Sequence, residues 1–246
     1  MKRLFAFILL VSCLASSSAL AAPVVAAATG WAAALAKAAG ARDVVVIAPE
    51  SLQHPPDYDP KPSDLLRLKD ARFILLGGFE GFAQRLRDAA GSNARMIEVR
   101  LLNDPETIHA EVLRLADLFG TRPEAEAYLQ EFDAEYARLH SRLRDHFAGQ
   151  GNRAAAQKFM SVWAGFAGLE LVGTYGPGPV QPSDMLSLSA ENPDLVLDNA
   201  HMPSGAPIAE AANAPLYRMI NFPPPGMELL DVFRINAQTL LQSTGG

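Results

Sequence analysis

The chain has 246 residues, a formal net charge of −6 and a single cysteine, Cys13. Its length allows a substantial core in one or two domains, and its mild acidity without basic clusters leaves no footprint for nucleic acid. One cysteine excludes an intramolecular disulfide and a thiolate metal cage.

Met1-Lys2-Arg3 is a basic start, Leu4 to Leu14 is almost wholly apolar, and Ser18-Ala19-Leu20-Ala21 offers a small-x-small cleavage site. Residues 1–21 therefore read as a signal peptide, and the apolar run is too short for a membrane span. Leu10-Val11-Ser12-Cys13 also fits a bacterial lipobox, so lipid anchoring through Cys13 is the alternative to soluble export.

Pro23 to Ala28 reads as a small-residue strand, Trp31 to Ala39 as a helix ended by Gly40, and Asp43 to Ile47 as a buried strand. A loop rich in proline and aspartate follows, from Ala48 to Pro62. Lys61-Pro62-Ser63-Asp64-Leu65-Leu66-Arg67-Leu68 then starts a short helix and leads to the strand Phe73-Ile74-Leu75-Leu76 and Gly77-Gly78-Phe79-Glu80. The spacing predicts a helix from Phe82 to Ala90, a strand over Arg95 to Leu101, and a helix from Pro105 to Leu118 closed by Gly120.

Leu129, Phe132, Tyr136, Leu139, Leu143 and Phe147 recur every three or four residues, so Pro123 to Phe147 forms one long helix with a continuous apolar stripe. At 1.5 Å per residue it would span roughly 37 Å, enough to run beside two lobes. Beyond it the pattern predicts a strand from Lys158 to Trp163, a short helix, a strand at Leu169 to Gly173 and a Gly/Pro loop from Tyr175 to Pro182. Gln181-Pro182-Ser183-Asp184-Met185-Leu186-Ser187-Leu188 repeats the earlier unit and leads to the strand Leu195-Val196-Leu197 and Asp198-Asn199-Ala200-His201. An irregular stretch runs through Pro203-Ser204-Gly205, and Glu228 to Leu241 is a final helix.

Strands alternating with helices indicate parallel βαβ units. The expected fold class is α/β, with two Rossmann-like lobes of mostly parallel sheet joined by a long rigid helix. The lobes cover 22–120 and 151–246, with 121–150 connecting them.

Ligands of open α/β sheets bind beyond the carboxyl ends of the strands. The duplicated unit puts Glu80 at such an end in the first lobe and His201 in the second, facing each other across a cleft. His54 sits in a proline-stiffened loop beside Asp57 and Asp59, where imidazole nitrogen and carboxylate oxygen suit Zn²⁺ or Mn²⁺. His54, Glu80 and His201 are thus the candidate metal ligands. Asp57, Asp59 and Asn199 are candidates to complete the shell, and Trp163 and Tyr175 to line the cleft. His109, His140 and His146 read as solvated. No Gly-x-Ser-x-Gly, His-Glu-x-x-His or Walker pattern is present.

With these residues laid out, the chain resembles the periplasmic metal-binding subunits of zinc and manganese ABC transporters. The likeness rests on His-x-x-Asp-Tyr-x-Pro-x-Pro-Ser-Asp from His54, Gly-Gly-Phe-Glu ending at Glu80, and Asn103-Asp104-Pro105 opening a helix. The long helix and Pro193-Asp194-Leu195-Val196-Leu197-Asp198 complete it. The resemblance implies two lobes on one rigid helix, a divalent metal ion as transported ligand between them, no catalysis and no organic cofactor. It also implies a periplasmic location, a permease partner in the inner membrane, and action as a monomer. His54 carries over as a ligand by direct match. Two further donor positions of the family are not matched, where this chain reads Glu98-Val99-Arg100-Leu101-Leu102 and Ser161-Val162-Trp163. Two alternatives follow: a binding protein for a chelated metal or small organic ligand, with Trp163 and Tyr175 as an apolar wall, or an exported metal-dependent hydrolase using Glu80 as general base.

Overall fold

The computed structural model describes residues 24–52, 54–91 and 94–242. Residues 1–21, expected to be a signal peptide, lie outside the described residues, Cys13 among them. In chain order the first lobe comprises β1 (Val25–Ala27), α1 (Gly30–Ala38), β2 (Val44–Val46), a 3-10 turn (Pro55–Asp57), α2 (Pro62–Leu66), β3 (Phe73–Leu76), α3 (Ala83–Ala89), β4 (Arg95–Glu98) and α4 (Pro105–Phe119). The connecting helix is α5 (Arg122–Phe147). The second lobe comprises β5 (Arg153–Gln157), a 3-10 turn (Lys158–Met160), α6 (Ser161–Ala167), β6 (Glu170–Tyr175), α7 (Pro182–Ala190), β7 (Leu195–Asn199), α8 (Ala206–Ala212), β8 (Leu216–Met219) and α9 (Leu229–Leu241).

Each lobe holds a four-stranded, all-parallel sheet, and the two sheets have the same order: β2-β1-β3-β4 and β6-β5-β7-β8. The expected α/β class with two lobes is what the chain adopts. Parallel sheets are covered on both faces, which explains why β1, β3 and β7 are buried at every position.

The duplicated Pro-Ser-Asp units become α2 and α7. In each, proline occupies the first turn, and the aspartate carboxylate accepts the backbone N–H three residues earlier. These bonds are Lys61 to Asp64 at 2.9 Å and Gln181 to Asp184 at 3.0 Å.

Helix α5 has 26 residues, or about 39 Å at 1.5 Å per residue. Of its stripe, Leu129, Phe132, Leu139, Leu143 and Phe147 are buried, and Tyr136 is partly buried against Phe166 and Phe233. It packs on α1, α4, α6 and α9. Phe132, Trp163, Phe166 and Phe233 meet at its middle in edge-to-face pairs with centroids 5.0–5.6 Å apart. One hydrophobic core therefore runs from β1 and α1 of the first lobe to β5 and α9 of the second. Helix α9 closes the circuit by touching α5, β8 and α1.

Three assignments change. The first strand of the second lobe is Arg153–Gln157, not Lys158 to Trp163. Its centre is Ala154-Ala155-Ala156, weak strand formers that are wholly buried between layers where larger side chains have no room. Met160, Trp163, Ala164 and Ala167 lie on one helical face and are all buried, so that segment is a 3-10 turn followed by α6. Between Gly205 and Glu228, where the pattern named no element, α8 and the edge strand β8 follow.

Candidate functional site

The carboxyl ends of all eight strands point toward one cleft of about 760 Å³ between the sheets. Thr29 to Trp31 follow β1, His54 to Asp57 follow β2, Phe79 follows β3, and Leu101 to Asp104 follow β4. Lys158, Phe159, Ser161 and Val162 follow β5, Pro177 follows β6, Asn199 to Met202 close β7, and Asn221 with Phe222 follow β8. Strand order reverses beside β1 and β5, which opens a crevice where neighbouring loops diverge. At the floor the lobes are tied directly, since Asn103 Nδ2 donates to the Asn221 carbonyl at 2.9 Å.

His54 caps the 3-10 turn, and its Nδ1 lies 2.7 Å from Asp57 Oδ2. A carboxylate partner holds the imidazole proton on Nδ1 and leaves the Nε2 lone pair as the available donor. Asp57 is thus an orienting group for His54. Asp59 is elsewhere, exposed and paired with Arg85.

His201 stands on the opposite wall. Its ring lies flat on Phe222, with centroids 3.9 Å apart and planes 15° from parallel. Its backbone N–H donates to Asn199 Oδ1 at 2.9 Å, so Asn199 shapes the turn that presents the imidazole. His201 Nε2 is buried and has no hydrogen-bond partner among the described residues. Burial first, and the charge of His54 second, hold its pKa below the ordinary histidine value. Both histidines line the same cleft.

Glu80 is not brought to them. It is only 5% exposed, and its two carboxylate oxygens accept the backbone N–H groups of Gly77 and Gly78 at 2.8 and 3.0 Å. The tight turn that makes this possible needs glycine: Gly78 has φ +85°, and a Cβ there would sit 2.7 Å from Glu98 Oε1. The residue that reaches the cleft is the neighbour, Phe79. Asp198 has the matching task in the second lobe, accepting from Ser204 N at 3.1 Å and from Tyr175 OH at 3.2 Å.

Trp163 and Tyr175 do not line the cleft. Trp163 is fully buried in the aromatic core behind it, and Tyr175 is buried beneath β7, its hydroxyl pKa raised by burial and then by Asp198. His140 is not simply solvated, because its Nδ1 donates to the Phe166 carbonyl at 2.8 Å.

The apolar wall is instead built from Trp31, Phe79, Leu102, Phe159, Met202 and Phe222. Phe79, Leu102 and Phe159 are large apolar side chains exposed at 54, 56 and 48%. Each lies within a few residues of a strand's carboxyl end, a placement that marks it in the sequence once the strands are known. Among the described residues, no three His, Cys, Asp or Glu side chains gather into a metal-holding cluster. The cleft is lined by two imidazoles, one from each lobe, and by an aromatic wall.

No family profile and no curated protein matches the sequence. Solved structures do match. The SBP FpvC of Pseudomonas aeruginosa, in complex with Ni²⁺, superposes with a TM-score of 0.66 at 18% identity, covering 89% of this chain and 93% of that one. The laminin-binding protein Lbp of Streptococcus pyogenes gives 0.62 at 17% identity, covering 91% and 99%. A Cd-bound periplasmic metal binding protein from candidatus Liberibacter asiaticus gives 0.62 at 13%, covering 89% and 98%. The chain has the two-lobed α/β fold of these proteins over nearly its whole described length.

Proposed function

We propose that this chain is the solute-binding subunit of a metal-type ABC importer. It captures a divalent metal cargo in the inter-lobe cleft and passes it to a membrane permease. The observation that carries the reading is that His54 and His201, one from each lobe, line the same cleft, with His201 Nε2 buried and lacking a partner among the described residues. An unpartnered buried nitrogen is costly unless a ligand completes it, and neutral imidazole is a common nitrogen donor to divalent metals. Support also comes from the fold, shared with structures that hold Ni²⁺ and Cd²⁺. Zn²⁺ or Mn²⁺ in the natural setting, a periplasmic site of action and a permease partner all belong to this proposal.

A hydrolase reading is disfavoured on two grounds. Glu80, the one candidate base, has both oxygens committed to the Gly77-Gly78 turn. The structural neighbours carry names of binding proteins.

The test uses untagged mature protein and thermal unfolding with millimolar Zn²⁺, Mn²⁺ or Ni²⁺. Wild type should be stabilised by mass action, by about 2.7 kcal/mol where the metal stands at a hundred times its Kd. His54→Ala and His201→Ala should each lose most of that shift while melting close to wild type without metal. A wild type free of metal when purified, and indifferent both to all three ions and to their chelates, would sink the reading.

A further inference from the structure

We infer that the cargo enters this cleft as a chelate, a divalent metal already held by a small, flat, aromatic organic ligand, and not as a bare ion. The inference rests on the metal-importer reading and specifies its substrate class. Size speaks first. At about 30 Å³ per water, a six-coordinate hydrated ion occupies on the order of 200 Å³. The cleft offers about 760 Å³, within the range of small-molecule sites.

The donor count points the same way. A divalent transition metal takes four to six donors, and two imidazoles leave at least two positions open. Several oxygen donors nearby already have a partner on one atom. Asp57 holds His54, Asp104 Oδ1 caps α4 through Thr107 N at 2.8 Å, and Asn199 Oδ1 takes the His201 N–H. Asn103 Oδ1, buried at the floor without a partner, is a single acceptor suited to a ligand N–H or O–H. A bidentate chelator would fill the open metal positions that the protein does not.

The walls then explain themselves. Phe79, Leu102 and Phe159 leave large apolar surface uncovered inside a cleft, an arrangement that hydrated ions cannot satisfy but a flat aromatic ligand can. Phe222 already stacks on His201, so a second aromatic plane bound to the same metal would extend an existing apolar face. Lys158, at the rim and without an ion pair among the described residues, would balance an anionic complex.

Calorimetric titration of the untagged protein, checked by native mass spectrometry, tests this. The probes are Ni²⁺ alone, its 1:1 complexes with 1,10-phenanthroline, 2,2′-bipyridine and 2,3-dihydroxybenzoate, and each chelator without metal. At least one complex should bind about tenfold or more tightly than the bare ion, a gap of about 1.4 kcal/mol. The native mass should show protein, metal and chelator together. Replacing two of the three exposed wall residues, Phe79→Ser with Phe159→Ser, should weaken that complex about tenfold and bring its affinity toward that of the bare ion. If bare Ni²⁺ binds as tightly as every complex, the chelate inference falls and the metal-importer reading survives. If a chelator binds equally well without metal, the inference also falls. If neither ion nor complex binds, both fall together.

Discussion

The two lobes have the same sheet order and the same proline-led helix beside the cleft, yet their strand ends do different work. After β3 the carboxylate Glu80 folds back onto Gly77 and Gly78, and Phe79 meets the cleft. Near the end of β7 the carboxylate Asp198 accepts from Ser204 N–H and Tyr175 OH, and after β7 His201 meets the cleft. In both lobes the acid holds a loop together, and a residue near it in sequence lines the cleft. The two cleft histidines are consequently not a symmetric pair, since His54 follows β2 and His201 follows β7.

The largest expected effect asks whether the lobes are separate at all. Leu139→Asp on α5 would bury an unpaired charge in the core that both sheets share, costing about 3–5 kcal/mol. Urea unfolding followed by tryptophan fluorescence and by circular dichroism should give coincident transitions, shifted together. Two separated transitions would show that the lobes fold independently and that the shared core is energetically unimportant.

Next comes the contrast between acid and imidazole. Glu80→Ala leaves two backbone N–H groups without an acceptor in a buried turn, at about 1–3 kcal/mol each before relaxation or water entry. It should lower the melting temperature while a metal-induced shift persists. His201→Ala should do the reverse. Were Glu80→Ala to abolish the shift while the turn stayed intact, the acid would have to be counted among the ligands.

A smaller effect is expected from Gly78→Ala. The left-handed backbone costs about 1–2 kcal/mol for a residue with a Cβ, and Glu98 must also give way. The measurement is the denaturation midpoint, and a neutral result would mean the turn can relax without its glycine.

The least effect concerns the seam between α5 and α9. Arg138 first, with Arg234 across the seam, holds the Glu135 carboxyl down to about 2 from an ordinary value near 4.5. A depressed folded-state pKa means stability that is present above the unfolded value and lost as pH falls through the interval from about 4.5 to 2. Glu135→Gln should therefore flatten the acid limb of the stability profile in that window. An unchanged limb would show that other carboxylates set it.

Much of this was legible in the sequence, for stated reasons. The stripe from Leu129 to Phe147 is a period of 3.6 repeated over six residues, a signal that no tertiary contact overrides. The duplicated Pro-Ser-Asp units announced matching helices because proline, cap and acid occupy adjacent, position-specific places. The reading failed where burial replaced pattern. Ala154-Ala155-Ala156 makes a central strand from residues with little strand preference, and Trp163 belongs to a helix facing the core. Glu80 illustrates a different limit. Sequence places a carboxylate near a strand end to within a residue, but whether it points into the cleft or back at its own turn depends on a backbone twist at Gly78.

The continuous core along α5 has a mechanical consequence. Two lobes on a loose tether can report an occupied cleft by closing like jaws. Here such a swing would have to part α9 from α1 and break the Asn103–Asn221 hydrogen bond, contacts that join the two lobes directly. Occupancy is then written in the loops at the strand ends, over a few ångströms and a few side chains, and any partner that distinguishes full from empty must read that rim.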